Sequence, residues 1–205
     1  MNTDNLMAIG EALFHLVDND ANLQDLLRNI NQFAIALIPA EVCTIWIREG
    51  QDNIIIAKGT AYPHCYINPN LGGETIKMRD GPGVGFTAHM AFQFATFPER
   101  YAVFNLSYAA LVGHQAFRGG KPANPYFQTS TTSLSILCAP IRDKITNNFI
   151  AMIKVENKLN PWGFPSGESF TPDEAELLKK YADLLGNKIL SHLEYDLEEK
   201  VKKLV

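Results

Sequence analysis

Cysteine is scarce in this chain of 205 residues: Cys43, Cys65 and Cys138 are the three, and no Cys-x-x-Cys pair occurs. An odd count without paired spacing excludes a disulfide framework and a zinc knuckle. Charge of one sign is also lacking. Lys plus Arg is 18 against 22 Asp plus Glu, a net charge of −4. No basic stripe could neutralise a row of phosphates, so no nucleic-acid partner is expected. No apolar run reaches the roughly 18 residues that cross a bilayer, and the opening residues lack the basic and apolar blocks of a signal peptide. The chain therefore reads as cytoplasmic, with no membrane partner for this stretch. It has no Gly-x-Ser-x-Gly elbow, no Ser/His/Asp order and no cysteine in an activating context. Its paired carboxylates fall mainly on one charged helix, which makes no glycosidase site. The expectation is a protein that is not an enzyme.

What remains is the composition of a globular domain, 46% hydrophobic and 20% charged, long enough for one domain with helical extensions. Leu6, Ile9, Leu13 and Leu16 recur at helical steps, which predicts an N-terminal helix within residues 1–19. Leu23, Leu26, Leu27, Ile30, Phe33, Ala34 and Leu37 predict a second helix, ended by Pro39. The β-rich runs at 42–47 and 53–57, split by a turn at Glu49-Gly50-Gln51-Asp52, read as a hairpin. The runs at 133–141 and 149–157, split around Thr146-Asn147-Asn148, read as another. Two hairpins bracketed by helices indicate an α+β fold with an antiparallel sheet. At the C-terminal end, Thr171-Pro172-Asp173-Glu174 supplies a helix cap, a Pro at the first helical position and a Glu that closes a capping box. The helix it opens still carries apolar residues and acid-before-base pairs at its end. Residues 193–205 thus read as the start of a linker or signalling helix.

Between the hairpins, residues 60–132 carry Gly and Pro punctuation but little sustained periodicity. They hold 12 of the chain's 19 Phe and Tyr residues. A segment so aromatic is not a disordered tract. It is expected to fold over one face of the sheet as short helices and loops, walling a pocket.

The order of helix, hairpin, long insert, SLSILCAPI strand, FIAMIKVENK strand and FTPDEAELL helix resembles a GAF domain over residues 20–192. The residues Asn157-Lys158, Phe170 and Asp173-Glu174 resemble the Asn-Lys…Phe…Asp-Glu signature of GAF domains in cyclic-nucleotide phosphodiesterases and adenylyl cyclases. The run Gly83-Val84-Gly85-Phe86-Thr87 resembles the glycine-marked start of that family's middle helix. The resemblance implies a sheet with helices on one side and a ligand lid, here 60–132, on the other. It implies a sensor or regulatory module of signal transduction, a homodimer joined through terminal helices, and a covalently linked output domain. By the same resemblance, Lys158 and Asp173 form a salt bridge that helps hold the lid.

The ligand itself stays open between a cyclic nucleotide, another small metabolite and none. In bilin-binding GAF domains a Cys is commonly followed by His; here His64 precedes Cys65, so covalent bilin is set aside. The spacings of His64, Cys65, His89 and His114 match no metal or haem pattern. The Gly81–Gly85 run fits a tight helix start better than a phosphate loop, since no Gly-Lys-Ser/Thr follows. Asp173 and Glu174 are also explained by helix capping alone. The expected ligand wall is Trp46, Phe86, His89, Tyr101, Phe104, Tyr108, Phe117 and Ser135. The alternative to a sensor is a ligand-free scaffold for dimerisation or partner docking, its aromatics a filled subsidiary core.

Overall fold

The structure is a computed structural model that describes residues 23–56, 75–117 and 133–202. The predicted helix within 1–19 and the pair His64-Cys65 lie outside the described residues. Helix α1 (Leu23–Leu37) buries Leu26, Leu27, Ile30 and Ala34, the face its periodicity predicts. Strands β1 (Ala40–Glu49) and β2 (Asn53–Ile56) pair antiparallel with Glu49 opposite Asn53. After β3 (Thr75–Lys77) come helix α2 (Phe86–Thr96), β4 (Phe104–Leu106) and the one-turn helix α3 (Tyr108–Gly113). The second hairpin is β5 (Ile136–Arg142) and β6 (Phe149–Lys158), and α4 (Pro172–Lys202) follows. The six strands form one antiparallel sheet in the order β3-β2-β1-β6-β5-β4.

Alternation along the three central strands sends two sets of side chains to two covered faces. Cys43, Ile45, Ile47, Leu137, Ala139, Ile141, Ala151, Ile153 and Val155 pack under α1 and α4. Val42, Trp46, Ile136, Cys138 and Met152 face the other way, under α2 and its neighbours. Both faces are buried, which is why these strands read as continuous apolar runs in the sequence. On the first face, the buried Tyr181 of α4 donates its hydroxyl to the Ile30 carbonyl at 3.0 Å and tilts against the Phe33 ring. Gly186 of α4 lies directly on β5: a Cβ there would stand 1.9 Å from the Arg142 carbonyl oxygen. No helix among the described residues is long and apolar enough to cross a membrane.

The capping box forms as predicted. Thr171 Oγ1 accepts the Glu174 amide at 3.2 Å, and Glu174 Oε2 accepts the Thr171 amide at 2.6 Å. Lys158, however, pairs with Glu174 at 2.8 Å and not with Asp173, whose side chain is exposed. The capping geometry turns the Glu174 carboxylate back toward β6, where Lys158 lies, so that carboxylate serves both partners. Asn157, at φ 59°, accepts the Leu134 amide at 2.7 Å and donates to Glu41 at 2.6 Å. Phe170 is buried in the α1/α4 core, its backbone clamped by both ends of the Asn105 amide. The Lys158–Glu174 pair ties α4 to β6, Asn105 of β4 holds the residue before the capping box, and Asn157 joins β6 to β1 and to the segment that enters β5.

Burial raises the Glu174 carboxyl, but the Lys158 ammonium and the Thr171 groups outweigh it and hold the group below its ordinary value of 4.5. A carboxyl depressed in the folded state stabilises above its unfolded pKa and loses that contribution as pH falls through the folded one. Stability should therefore decline on acidification below about pH 5, and less steeply in Glu174→Gln. Urea midpoints across that range check it; equal slopes in the two proteins would remove Glu174 from the account.

Candidate ligand-binding site

The lid side of the sheet carries a pair of charges where its neighbours are apolar. Lys154 and Glu156 lie two residues apart on β6 and so point to the same face, Lys154 flanked by Thr44 of β1 and Cys138 of β5. The Lys154 ammonium contacts Glu156 Oε2 at 2.7 Å, with only 5% and 2% of the two side chains exposed. It also donates to Thr87 Oγ1 at 3.1 Å and lies 5.8 Å from the centre of the Trp46 ring. Glu156 Oε1 accepts the Ser133 hydroxyl at 2.8 Å, and Trp46 Nε1 donates to Thr44 Oγ1 at 3.1 Å. Burying charge is costly unless the charges are paired and hydrogen-bonded, and here both are. Because Thr87 is the second residue of α2, the pair pins the first turn of that helix to the sheet.

Loop 78–85 brings the chain from β3 to α2. Gly81, Gly83 and Gly85 all take positive φ, at 128°, 65° and 88°, where residues with a Cβ are disfavoured. That accounts for the Gly-Pro-Gly-Val-Gly run as a tight helix start. Asp80 locks the loop onto α2: its carboxylate accepts from the Gly81 amide at 2.8 Å and from Gln93 Nε2 at 3.0 Å, and contacts His89 Nδ1 at 2.8 Å. Burial raises the Asp80 carboxyl, but these hydrogen bonds and the nearby imidazole prevail and hold it below its ordinary value. With the carboxylate ionised, His89 Nδ1 carries the shared proton. His114 Nδ1 accepts the Ala116 amide at 3.1 Å, which places the His114 proton on Nε2. Burial, then the neighbouring His89, lower the His114 pKa, with Asp80 acting the other way.

A cavity of about 350 Å³ opens between β3 and the first turn of α2. Thr75, Ile76, Lys77 and Arg79 line one side, and residues 84–88 the other. Its volume is that of a small-molecule site. Among the described residues no acid lines it, Lys77 and Arg79 are basic, and the first turn of α2 forms one wall. Thr87 is both a wall of the cavity and the partner of the buried ammonium.

Of the predicted wall residues, Phe86 lines the cavity and its ring lies 5.2 Å from His114 and 6.3 Å from Phe117. His89 is buried beside Phe104 at 5.9 Å, and Tyr101 stacks on Phe104 at 4.8 Å. Trp46 is buried in the sheet floor. Of the eight, Phe86 is the one that lines the cavity, and two lie away from this aromatic cluster altogether. Tyr108 is exposed at the start of α3, and its amide donates to the Gly167 carbonyl at 2.9 Å. Ser135 precedes β5 and bridges the Lys158 amide and the Ser166 carbonyl. Sequence reasoning missed Lys154, Glu156, Thr87 and Asp80. Charges at two alternate positions of an otherwise apolar strand were the available signal for the first two.

Cys43 and Cys138 are buried, and burial pushes both thiols up, helped for Cys43 by Cys138 and Glu156. Neither is poised as a thiolate. Among the described residues, no three His, Cys, Asp or Glu side chains gather as a metal site.

The architecture has many solved counterparts. A GAF domain of a phosphoenolpyruvate-protein phosphotransferase from Coxiella burnetii superposes with a TM-score of 0.68 at 15% identity, covering 96% of this chain and 99% of its own. The corresponding Acinetobacter domain gives 0.62 at 15% identity, covering 93% and 95%. Free methionine-R-sulfoxide reductase from Neisseria meningitidis, solved with its substrate, gives 0.56 at 12% identity, covering 95% and 96%. At these identities the likeness concerns the fold alone. No curated relative matches the chain. The sequence model of the GAF domain matches residues 22–189, most of the chain, and with the sheet order and the two-sided core it establishes that this protein belongs to the GAF domain family.

Proposed function

We propose that this GAF domain is a sensor module that takes a small molecule into the space between β3 and the first turn of α2 and signals through its terminal helices. The observation that carries this reading is the 350 Å³ cavity whose wall, at Thr87, is hydrogen-bonded to a buried ion pair on the sheet. A cyclic nucleotide is the first ligand to test. Among the described residues the cavity wall has basic side chains and no acid, the start of a helix suits a phosphate, and the Phe86 ring offers a stacking surface for a base. We propose a non-catalytic role, supported by the buried, protonated state of Cys43 and Cys138. A homodimer through the terminal helices, with an output domain attached to them, would turn ligand occupancy into a change of helix packing. Such a signal requires unequal affinity for the two packings.

The ligand-free scaffold is the second reading, favoured by the mutual packing of Tyr101, Phe104, His89 and Phe94. Native mass spectrometry of freshly purified protein separates the two. The sensor reading expects a dimer that retains a small organic mass or takes one up from cAMP or cGMP. A dimer that binds neither these nor a panel of metabolites would favour the scaffold.

A further inference from the structure

Arg142 ends β5 at a slip of register with β6, and it touches helices on both faces of the sheet. Its carbonyl is the surface against which Gly186 of α4 packs, with no room for a Cβ between them. Its guanidinium reaches the opposite face, where Nη2 donates to the Phe94 carbonyl in the last turns of α2 at 2.8 Å. Nη1 donates to the Asn147 carbonyl at 3.2 Å, and Asn147 in turn donates to Glu99, just beyond α2, at 3.3 Å. Burial lowers the Arg142 pKa, while the charges of Glu99 and of Asp183 on α4 act the other way. Asp183 lies three residues before Gly186, one helical turn. The guanidinium joins the partly negative carbonyl end of α2 to the turn between β5 and β6.

The other end of α2 is the cavity wall. A helix of 11 residues moves as one body, so a displacement of its first turn displaces the Phe94 carbonyl. We propose that Arg142 is the positioning residue that couples α2 to α4. A ligand that draws the first turn of α2 toward β3 moves Phe94 and, through its carbonyl, the guanidinium that donates to it. The β5 carbonyl under Gly186 follows, and α4 shifts on the sheet. The direct contact of Gly186 with backbone makes α4 responsive, since no flexible side chain lies between them to absorb the movement. This inference rests on the sensor reading for its purpose, but the coupling is testable with no ligand.

The test is hydrogen–deuterium exchange of the α4 segment 178–190, referenced to α1 segment 26–34, in four proteins: wild type, Asp80→Ala, Arg142→Met and the double variant. Asp80→Ala removes the carboxylate that binds loop 78–85 to His89 and Gln93, and so perturbs α2 through the loop that leads into the cavity wall. The expected result is a change in α4 exchange of roughly threefold or more on Asp80→Ala in the wild-type background, and little change in the Arg142→Met background. A merely structural Arg142 would raise α4 exchange itself but leave the response to Asp80→Ala the same in both backgrounds. That equality, or no α4 response in wild type, overturns the coupling. If Arg142→Met does not fold, Arg142→Lys takes its place: it keeps the charge but loses the fork that spans two carbonyls, and it should diminish the response. Native mass spectrometry for a retained ligand judges the sensor reading independently.

Discussion

Replacing Gly186 with alanine is expected to destabilise the protein by about 3 kcal/mol, an overpacking cost at the upper end of the usual range. Helix propensity alone predicts the opposite sign, a gain of about 1 kcal/mol for Gly→Ala in a helix interior. Geometry decides between them. The added Cβ would meet the Arg142 carbonyl oxygen at 1.9 Å and its carbon at 3.0 Å, and backbone in a central part of the sheet cannot rotate away as a side chain can. Helix α4 must lift from β5, opening the core around Leu185 and Ile189, both buried. Urea unfolding checks this through a fall in midpoint at unchanged slope. A midpoint at or above that of wild type would mean that α4 does not sit on β5 as described.

The buried pair supplies the second large effect. Lys154→Met leaves Glu156 with Ser133 as its remaining partner in a dry interior, and Glu156→Gln leaves the ammonium with Thr87 and the Trp46 face. Each single change should cost about 3–5 kcal/mol, the usual penalty for an orphaned buried charge. The double variant Lys154→Met, Glu156→Gln removes both charges and should lie closer to wild type than either single one. The signature is this failure of additivity, read from a double-mutant cycle of unfolding free energies. Losses that simply add would show that the two charges do not depend on each other. Because Thr87 is tied to Lys154, Lys154→Met should also loosen the first turn of α2. Its amides would then exchange faster than those of α1.

The long elements were legible because their signals are redundant. The α1 face repeats over several turns, Pro39 marks its end, and Thr171 with Glu174 announces α4. Two apolar strand runs around short polar turns gave both hairpins. Strands β3 and β4 were not legible, since three residues are too few for any period to show. Both are held as sheet edges by pairing with β2 and β5 rather than by their own composition. Of the expected wall residues, Phe86 lines the cavity at the start of α2, and His89 lies on the same helix without lining it. Tyr108 is exposed and its amide bonds to Gly167, 59 positions further along the chain, a placement that composition cannot reveal. Lys158 was assigned Asp173 as its partner through the family signature. The local capping geometry turns Glu174 toward it instead.

The central claim is that the cavity beside the first turn of α2 binds a small molecule. Thermal-shift titration of the protein with cAMP, cGMP and a metabolite panel tests it most directly. A true ligand at 100 times its dissociation constant adds about 2.7 kcal/mol, a rise of roughly 5–10 °C for a domain of this size. The account predicts such a saturable rise for at least one compound, and its reduction in Phe86→Ala, which alters the cavity wall. A transition that no compound raises, or a rise that Phe86→Ala leaves untouched, would contradict it.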